Sequence, residues 1–137
     1  MATLHAYSYF KTVDDLKTRK EKIDYLRANR TVTFDTLLKL TYGEYKFDLP
    51  DTPPPYKPSE FDEHNNIYQE IRKIERTFVA GALPGWPQHK REAAFIQILE
   101  YVDKDDAKLL TGMIAGKLPF KTIDKKLVKE ALPELFL

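Results

Sequence analysis

The residues with the clearest chemical potential are lysines crowded between positions 117 and 129. Lys117, Lys121, Lys125, Lys126 and Lys129 stand against a single acid, Asp124, a net of +4. Ammonium groups at this density are either receptors for phosphate oxygens or a solvated face that serves only solubility. Their placement adds a point. The spacing predicts that Thr122 caps a helix, with Lys121 before the cap and Lys125 at the third helical position. A helix start carries partial positive charge and unpaired N–H groups, so a capping box would place Glu or Gln there. Lysines beside such a start suit an external anion, phosphate above all. Lys90 and Arg91 fall in the first turn of another predicted helix and make a second basic start. A third basic run, Lys17 to Arg30, holds six bases against Glu21 and Asp24, again a net of +4. An exposed amphipathic face is the favoured reading of that run.

Other chemistry is thin. His5, His64 and His89 are far apart and form no ligand pair with metal-binding spacing. Asp103, Asp105 and Asp106 look like a fragment of a calcium loop, without its glycine and closing glutamate. There is no phosphate-cradling glycine loop, no nucleophile elbow and no Lys-x-Asp-Gly nucleotidyl-transfer motif. Glu70, Glu75 and Glu92 lie in predicted helices, but nothing pairs them for acid–base work. The expectation is therefore a non-enzymatic protein without metal or cofactor. With no cysteine, disulfides and thiolate metal sites are ruled out.

The frame that must position the lysines is expected to be all-α. The 137 residues suit one domain, 42% hydrophobic and 31% charged, and a formal net charge of +1 requires that any polyanion be met by a local patch. The first residues lack the charged lead and apolar core of a signal peptide, and no run is long enough to span a membrane. A cytoplasmic location follows as the expectation.

Helical spacing is read over 3–11, with strand as the alternative, then from a cap at Thr12 or Asp14 to about Ala28. Thr33 is expected to cap Phe34–Tyr42, which Gly43 ends. Residues 44–63 hold five of the nine prolines, with acids outnumbering bases six to two. They are read as a proline-rich acidic strap within the single domain. The cleanest stripe, Ile67, Ile71, Ile74 and Phe78, marks a helix over 62–80. The loop ALPGW precedes a helix over 87–102, and Asp103 or Asp105 opens the next one. Trp86 is either a stacking or anchoring side chain or filler for a helical seam. Leu109, Leu110, Met113 and Ile114 form a helix stopped by Gly116. After the turn, Ile123, Leu127, Val128, Ala131 and Leu132 face inward. The count is six or seven helices.

This order resembles the N-terminal all-helical DNA-binding domain of ATP-dependent DNA ligases, in particular the compact form in ligases of tailed bacteriophages. The resemblance rests on LLKLTYG at 37–43, the proline-rich stretch, the helix at 62–80, ALPGW, ILEYV and the run DAKLLTGMIAGKLPFKTIDKKLVKEALPEL. It covers about residues 16–135. The nucleotidyltransferase and OB-fold parts of a ligase have no counterpart in this sequence, which points to a stand-alone relative, a small phage protein of the infected host's cytoplasm. The resemblance implies a grip on duplex DNA through backbone phosphates. Lys117, Lys121, Thr122, Lys125 and Lys126 would face the backbone, with Lys90 and Arg91 as a second contact.

Two other functions compete. The end of the chain, Leu132-Pro133-Glu134-Leu135-Phe136, resembles short peptides that dock on sliding clamps, although the leading glutamine is missing. Leu132, Leu135 and Phe136 would then bind a replication or transcription protein, unless they simply close the core. A structural role in a virion is the third possibility.

Overall fold

The structure, a computed structural model, describes residues 6–43, 45–47, 49, 56–57, 67–79, 85–102 and 104–136, with backbone alone at 67–69. Seven α-helices lie among the described residues: α1 (Ala6–Asp15), α2 (Arg19–Ala28), α3 (Val32–Tyr42), α4 (Ile67–Phe78), α5 (Gln88–Tyr101), α6 (Lys104–Ala115) and α7 (Lys125–Ala131). A 3₁₀ turn, Pro133–Phe136, follows. No β-strand occurs among them; an isolated antiparallel bridge joins Phe47 to Val79. The proline-rich strap expected over 44–63 lies mostly outside the described residues.

Two helices carry the packing. α3 touches α4, α6, α7 and the 3₁₀ turn, while α6 touches α1, α3 and α5. Their inward faces explain this. Leu37, Leu38, Leu109 and Leu110 are each at most 1% exposed, and they belong to one continuous core that takes side chains from every helix. Burying such side chains is the main stabilising term. Aromatic rings close the seam between α1, α3 and the α6–α7 turn. Tyr9 stacks on Phe34 with centroids 4.2 Å apart, and Tyr7 meets Phe120 at 5.2 Å.

Several helix starts differ from the sequence reading, each for a local reason. The first two helices divide at 16–18, so that Thr18, not Thr12 or Asp14, caps α2 by accepting the Glu21 N–H. Thr31, not Thr33, caps α3, while Thr33 lies inside the helix and is buried. Pro87 stands just before α5 as its cap residue, not within the first turn. Thr18, Thr31 and Pro87 each take the extended conformation that a cap needs.

The end of α6 shapes the turn that leads into α7. Gly116 takes φ +88°, the left-handed region that glycine adopts without steric cost. The Lys117 N–H then reaches the Gly112 carbonyl at 3.0 Å, and the Gly116 N–H reaches Met113 at 3.2 Å. This pair of bonds is a Schellman motif, which satisfies carbonyls that the helix end would otherwise leave bare. It turns the chain so sharply that Gly112 itself is squeezed: a Cβ there would stand 2.7 Å from the Lys117 carbonyl oxygen.

Candidate nucleic-acid interface

The turn from Lys117 to Asp124 is pinned from two sides. Buried Tyr42 of α3 holds it from below: its hydroxyl accepts the Leu118 N–H and donates to the Ile123 carbonyl, both at 3.2 Å. Burial, with a smaller contribution from the nearby Asp124 charge, pushes the Tyr42 hydroxyl up to about 12, against the relief given by the Leu118 hydrogen bond. The group is a fixed polar pin rather than a proton donor for chemistry near neutral pH. Leu118, Phe120 and Ile123 are buried around it, so the turn's apolar residues point in and its lysines point out.

From the side, the joint between α1 and α2 grips Thr122. The Thr122 N–H donates to the Asp14 carboxylate at 2.8 Å, and its hydroxyl donates to the same carboxylate. Lys22, only 8% exposed, donates to that hydroxyl at 3.0 Å. The same ammonium also donates to the Val13 and Asp14 carbonyls at 3.1 and 2.9 Å, the bare end of α1. A cation there also opposes the negative end of the helix dipole. Burial pushes the Asp14 carboxyl up, but the two Thr122 hydrogen bonds and the Lys22 and Lys11 charges outweigh it and hold the group below its ordinary value.

Two expectations about this turn need correcting. Thr122 does not cap α7, and its hydroxyl and N–H are committed to Asp14 and Lys22 rather than available to DNA. Asp124 is the cap: it takes an extended conformation and accepts the Leu127 N–H at 2.8 Å. The reason is Ile123, which is fully buried and must stay outside the helix to reach the core. Lys125 is consequently the first helical residue. The helix start is already served by a carboxylate, so the case for an anion at its N–H groups is gone. The ammonium groups remain. Lys117, Lys121, Lys125 and Lys126 are all exposed, and among the described residues no carboxylate pairs with any of them.

The second proposed contact separates into two parts. Lys90 is exposed and lies over the Trp86 ring, 4.5 Å from its centroid. Arg91, by contrast, is 6% exposed and holds the loop before α5, donating to Gln88 Oε1 at 2.7 Å and to the Trp86 carbonyl at 3.3 Å. It is an internal brace, because Pro87 offers α5 no side-chain cap and Arg91 reaches back to order that end. Trp86 is half-buried against the α4–α5 groove, in line with the seam-filling reading.

The C-terminal docking set also changes. Leu132 is 2% exposed and belongs to the core, so it cannot serve as a docking side chain. Leu135 and Phe136 are half-buried and pack against the core, with Lys129 lying 5.6 Å from the Phe136 centroid. The 3₁₀ turn folds this end back on α3 and α7.

The basic run on α2, read as an exposed face, is mostly internal wiring. Lys22 has the partners given above. Arg19 pairs with Glu130 at 2.7 Å. Arg27 donates to the Ala131 and Glu130 carbonyls at 2.9 and 3.1 Å, closing the C-terminal end of α7. Arg30 bridges Asp35 and Glu134, joining α3 to the final turn. Those carboxylates hold the Arg30 guanidinium above its ordinary value. Lys17 and Lys20 alone of the six bases have no such partner among the described residues. No sequence signal separated the wired from the free positions, since Glu130 and the α7 carbonyls lie about a hundred residues away.

Comparison with known proteins places the chain. A model of a family of unknown function, DUF6433, matches residues 9–126. The chain belongs to this family. The match runs from within α1 to the start of α7, so the joint, the Schellman turn and all four free lysines lie within the shared region. No curated protein and no solved structure matches the chain. Among the described residues no helix is long and apolar enough to cross a membrane. Nor does any group of three His, Asp or Glu among them stand close enough to hold a metal.

Proposed function

We propose that this protein binds nucleic acid by its backbone, using Lys117, Lys121, Lys125 and Lys126 as a phosphate receptor and carrying out no reaction of its own. Duplex DNA is the partner implied by the ligase-domain resemblance. One observation carries the reading: four exposed ammonium groups lacking carboxylate partners among the described residues sit within ten positions, on a turn locked by Tyr42, Asp14 and Lys22. Solubility alone does not account for rigid support under an array of like charges, which repel one another. Neutralised phosphates release counterions, so binding should be sequence-tolerant and fall steeply with salt. Lys90, stacked on Trp86, is a secondary contact at most.

The test is fluorescence anisotropy with a labelled 20-base-pair duplex at about 50 mM salt, a condition under which phosphate contacts are strong. The wild type should bind. The triple variant Lys121→Glu, Lys125→Glu, Lys126→Glu should lose at least about a hundredfold in affinity while unfolding at an unchanged urea midpoint. Undiminished binding by that variant would place the site elsewhere.

A further inference from the structure

The free lysines do not stand on a flat surface. A 390 Å³ cleft opens beside them, lined by Tyr42, Gly43, Tyr45, Lys117, Asp124 and Lys125, with Thr41 and Gly116 completing it. That volume is within the range of about 300–1,000 Å³ that holds small organic groups. Tyr45 is 39% exposed, and among the described residues only Val32 and Tyr101 are large apolar side chains left as open. Gly43 sets its position, since a Cβ at 43 would meet the edge of the Tyr45 ring at 3.0–3.1 Å and the Lys39 carbonyl at 2.5 Å. The Lys39 ammonium stands 5.6 Å from the ring centroid.

We propose that this cleft receives one unpaired nucleotide of the bound strand, its base against Tyr45 and its flanking phosphates on Lys117 and Lys125. The inference rests on the backbone-binding reading above and sharpens it, from any duplex to nucleic acid with an unpaired position. The charges argue for this orientation. Asp124 lines the cleft, and its carboxylate would repel a phosphate placed inside, so the phosphates belong at the lysine rim. A base has no such conflict: the exocyclic amines of adenine, cytosine and guanine are donors that a carboxylate accepts. An exposed aromatic ring beside a cationic track is the arrangement that binds unstacked bases with little sequence preference. A fully paired duplex could use the rim but would leave the cleft empty.

The experiment compares two probes on the full chain by anisotropy at about 50 mM salt, where backbone contacts hold: a 20-base-pair duplex, and the same duplex with a central three-nucleotide bulge. The wild type should bind the bulged probe about tenfold more tightly, within the range of one base stacked on an aromatic side chain. Tyr45→Ala should remove that advantage and leave the paired-duplex affinity unchanged; Tyr45→Phe should keep it. Because Tyr45 lies outside the hydrophobic core, both variants should fold, which circular dichroism checks. Equal affinity for the two probes, or an advantage that survives Tyr45→Ala, would overturn the cleft assignment while leaving the lysine receptor standing. Failure to bind either probe would overturn both.

Discussion

Two stretches of this chain carry the same formal charge and meet opposite fates. Lys17–Arg30 and Lys117–Lys129 each have a net of +4. In the first, Arg19, Lys22, Arg27 and Arg30 are consumed by carboxylates and helix-end carbonyls of the same molecule. In the second, none of the five lysines has such a partner among the described residues; Lys129 lies over the Phe136 ring, and the other four are the free set. The difference is one of position in the fold. α2 lies along α7, so Arg19 and Arg27 meet its acid and its end carbonyls, while Lys22 meets the end of α1 and Arg30 meets Asp35 and Glu134. The 117–126 turn sits at an outer corner, its apolar side facing α3 and its polar side facing solvent. Arginine prevails in the wired set and lysine makes up the free one. A planar guanidinium suits fixed, forked hydrogen bonding, whereas an ammonium on a flexible stem suits contact with a mobile polyanion.

The comparison can be broken by exchanging what each region is asked to do. The largest effect should come from the free set: charge reversal at Lys121, Lys125 and Lys126 should lose binding by two orders of magnitude with stability unchanged. The wired set should behave the other way round. Lys22→Met removes a donor from the Val13 and Asp14 carbonyls and from the Thr122 hydroxyl, while the Leu16 N–H stays on Val13. It should cost about 1–2 kcal/mol in urea unfolding, as expected for the loss of charged hydrogen bonds at a largely buried site. Where that variant is folded, its affinity should fall only as far as the turn loosens, and its salt dependence should stay that of the wild type, since a group that is only 8% exposed cannot hold phosphate. A shallower salt dependence in the folded Lys22→Met protein would show that Lys22 itself meets phosphate and that the division between the regions is false.

Gly112→Ala probes the support beneath the free set. In an open helix this change would stabilise by about 1 kcal/mol. Here the added Cβ would come within 2.7 Å of the Lys117 carbonyl and 3.2 Å of Pro119 Cδ, so the sign should reverse. A loss of about 1–2 kcal/mol is expected, typical of overpacking, together with weaker binding as the turn shifts. A stabilised variant would mean that the turn is not held as tightly as the structure has it.

The smallest effect concerns acid. The Asp14 carboxyl is held below its ordinary value, so its contribution is complete above the unfolded value of about 3.9 and is lost as pH falls through the lower folded value. The wild type should therefore lose stability below about pH 4, and Asp14→Asn should be less stable at neutral pH but closer to wild type at pH 3. Parallel acid profiles for the two proteins would remove Asp14 from the joint.

How far the sequence could be read follows from the same physics. The all-α fold was legible because apolar spacing is local: Ile71, Ile74 and Phe78, and later Leu109, Leu110, Met113 and Ile114, mark buried faces directly. The stop at Gly116 was legible for the same reason. Caps were less so. Thr122, Thr33 and Thr12 have the right chemistry, but the residue chosen depends on which neighbour the core claims, as Ile123 shows. The roles of Arg91, Lys22 and Leu132 were not legible, since a cation's partner or a leucine's burial is decided by residues distant in the chain. Tyr45 went unnoticed because an isolated tyrosine carries no pattern until Gly43 and the lysine turn are brought beside it.

On the phosphate-receptor proposal, Lys117, Lys121, Lys125 and Lys126 neutralise phosphates, and Arg19, Lys22, Arg27 and Arg30 do not. Its most direct measurement is the slope of log affinity against log salt for a 20-base-pair duplex, in the wild type and in single Lys→Gln variants at 117, 121, 125 and 126. Four phosphate contacts predict a wild-type slope of about −3 to −4, reduced in magnitude by about one in each variant. A wild-type slope near zero, or four variants with the wild-type slope, would contradict it.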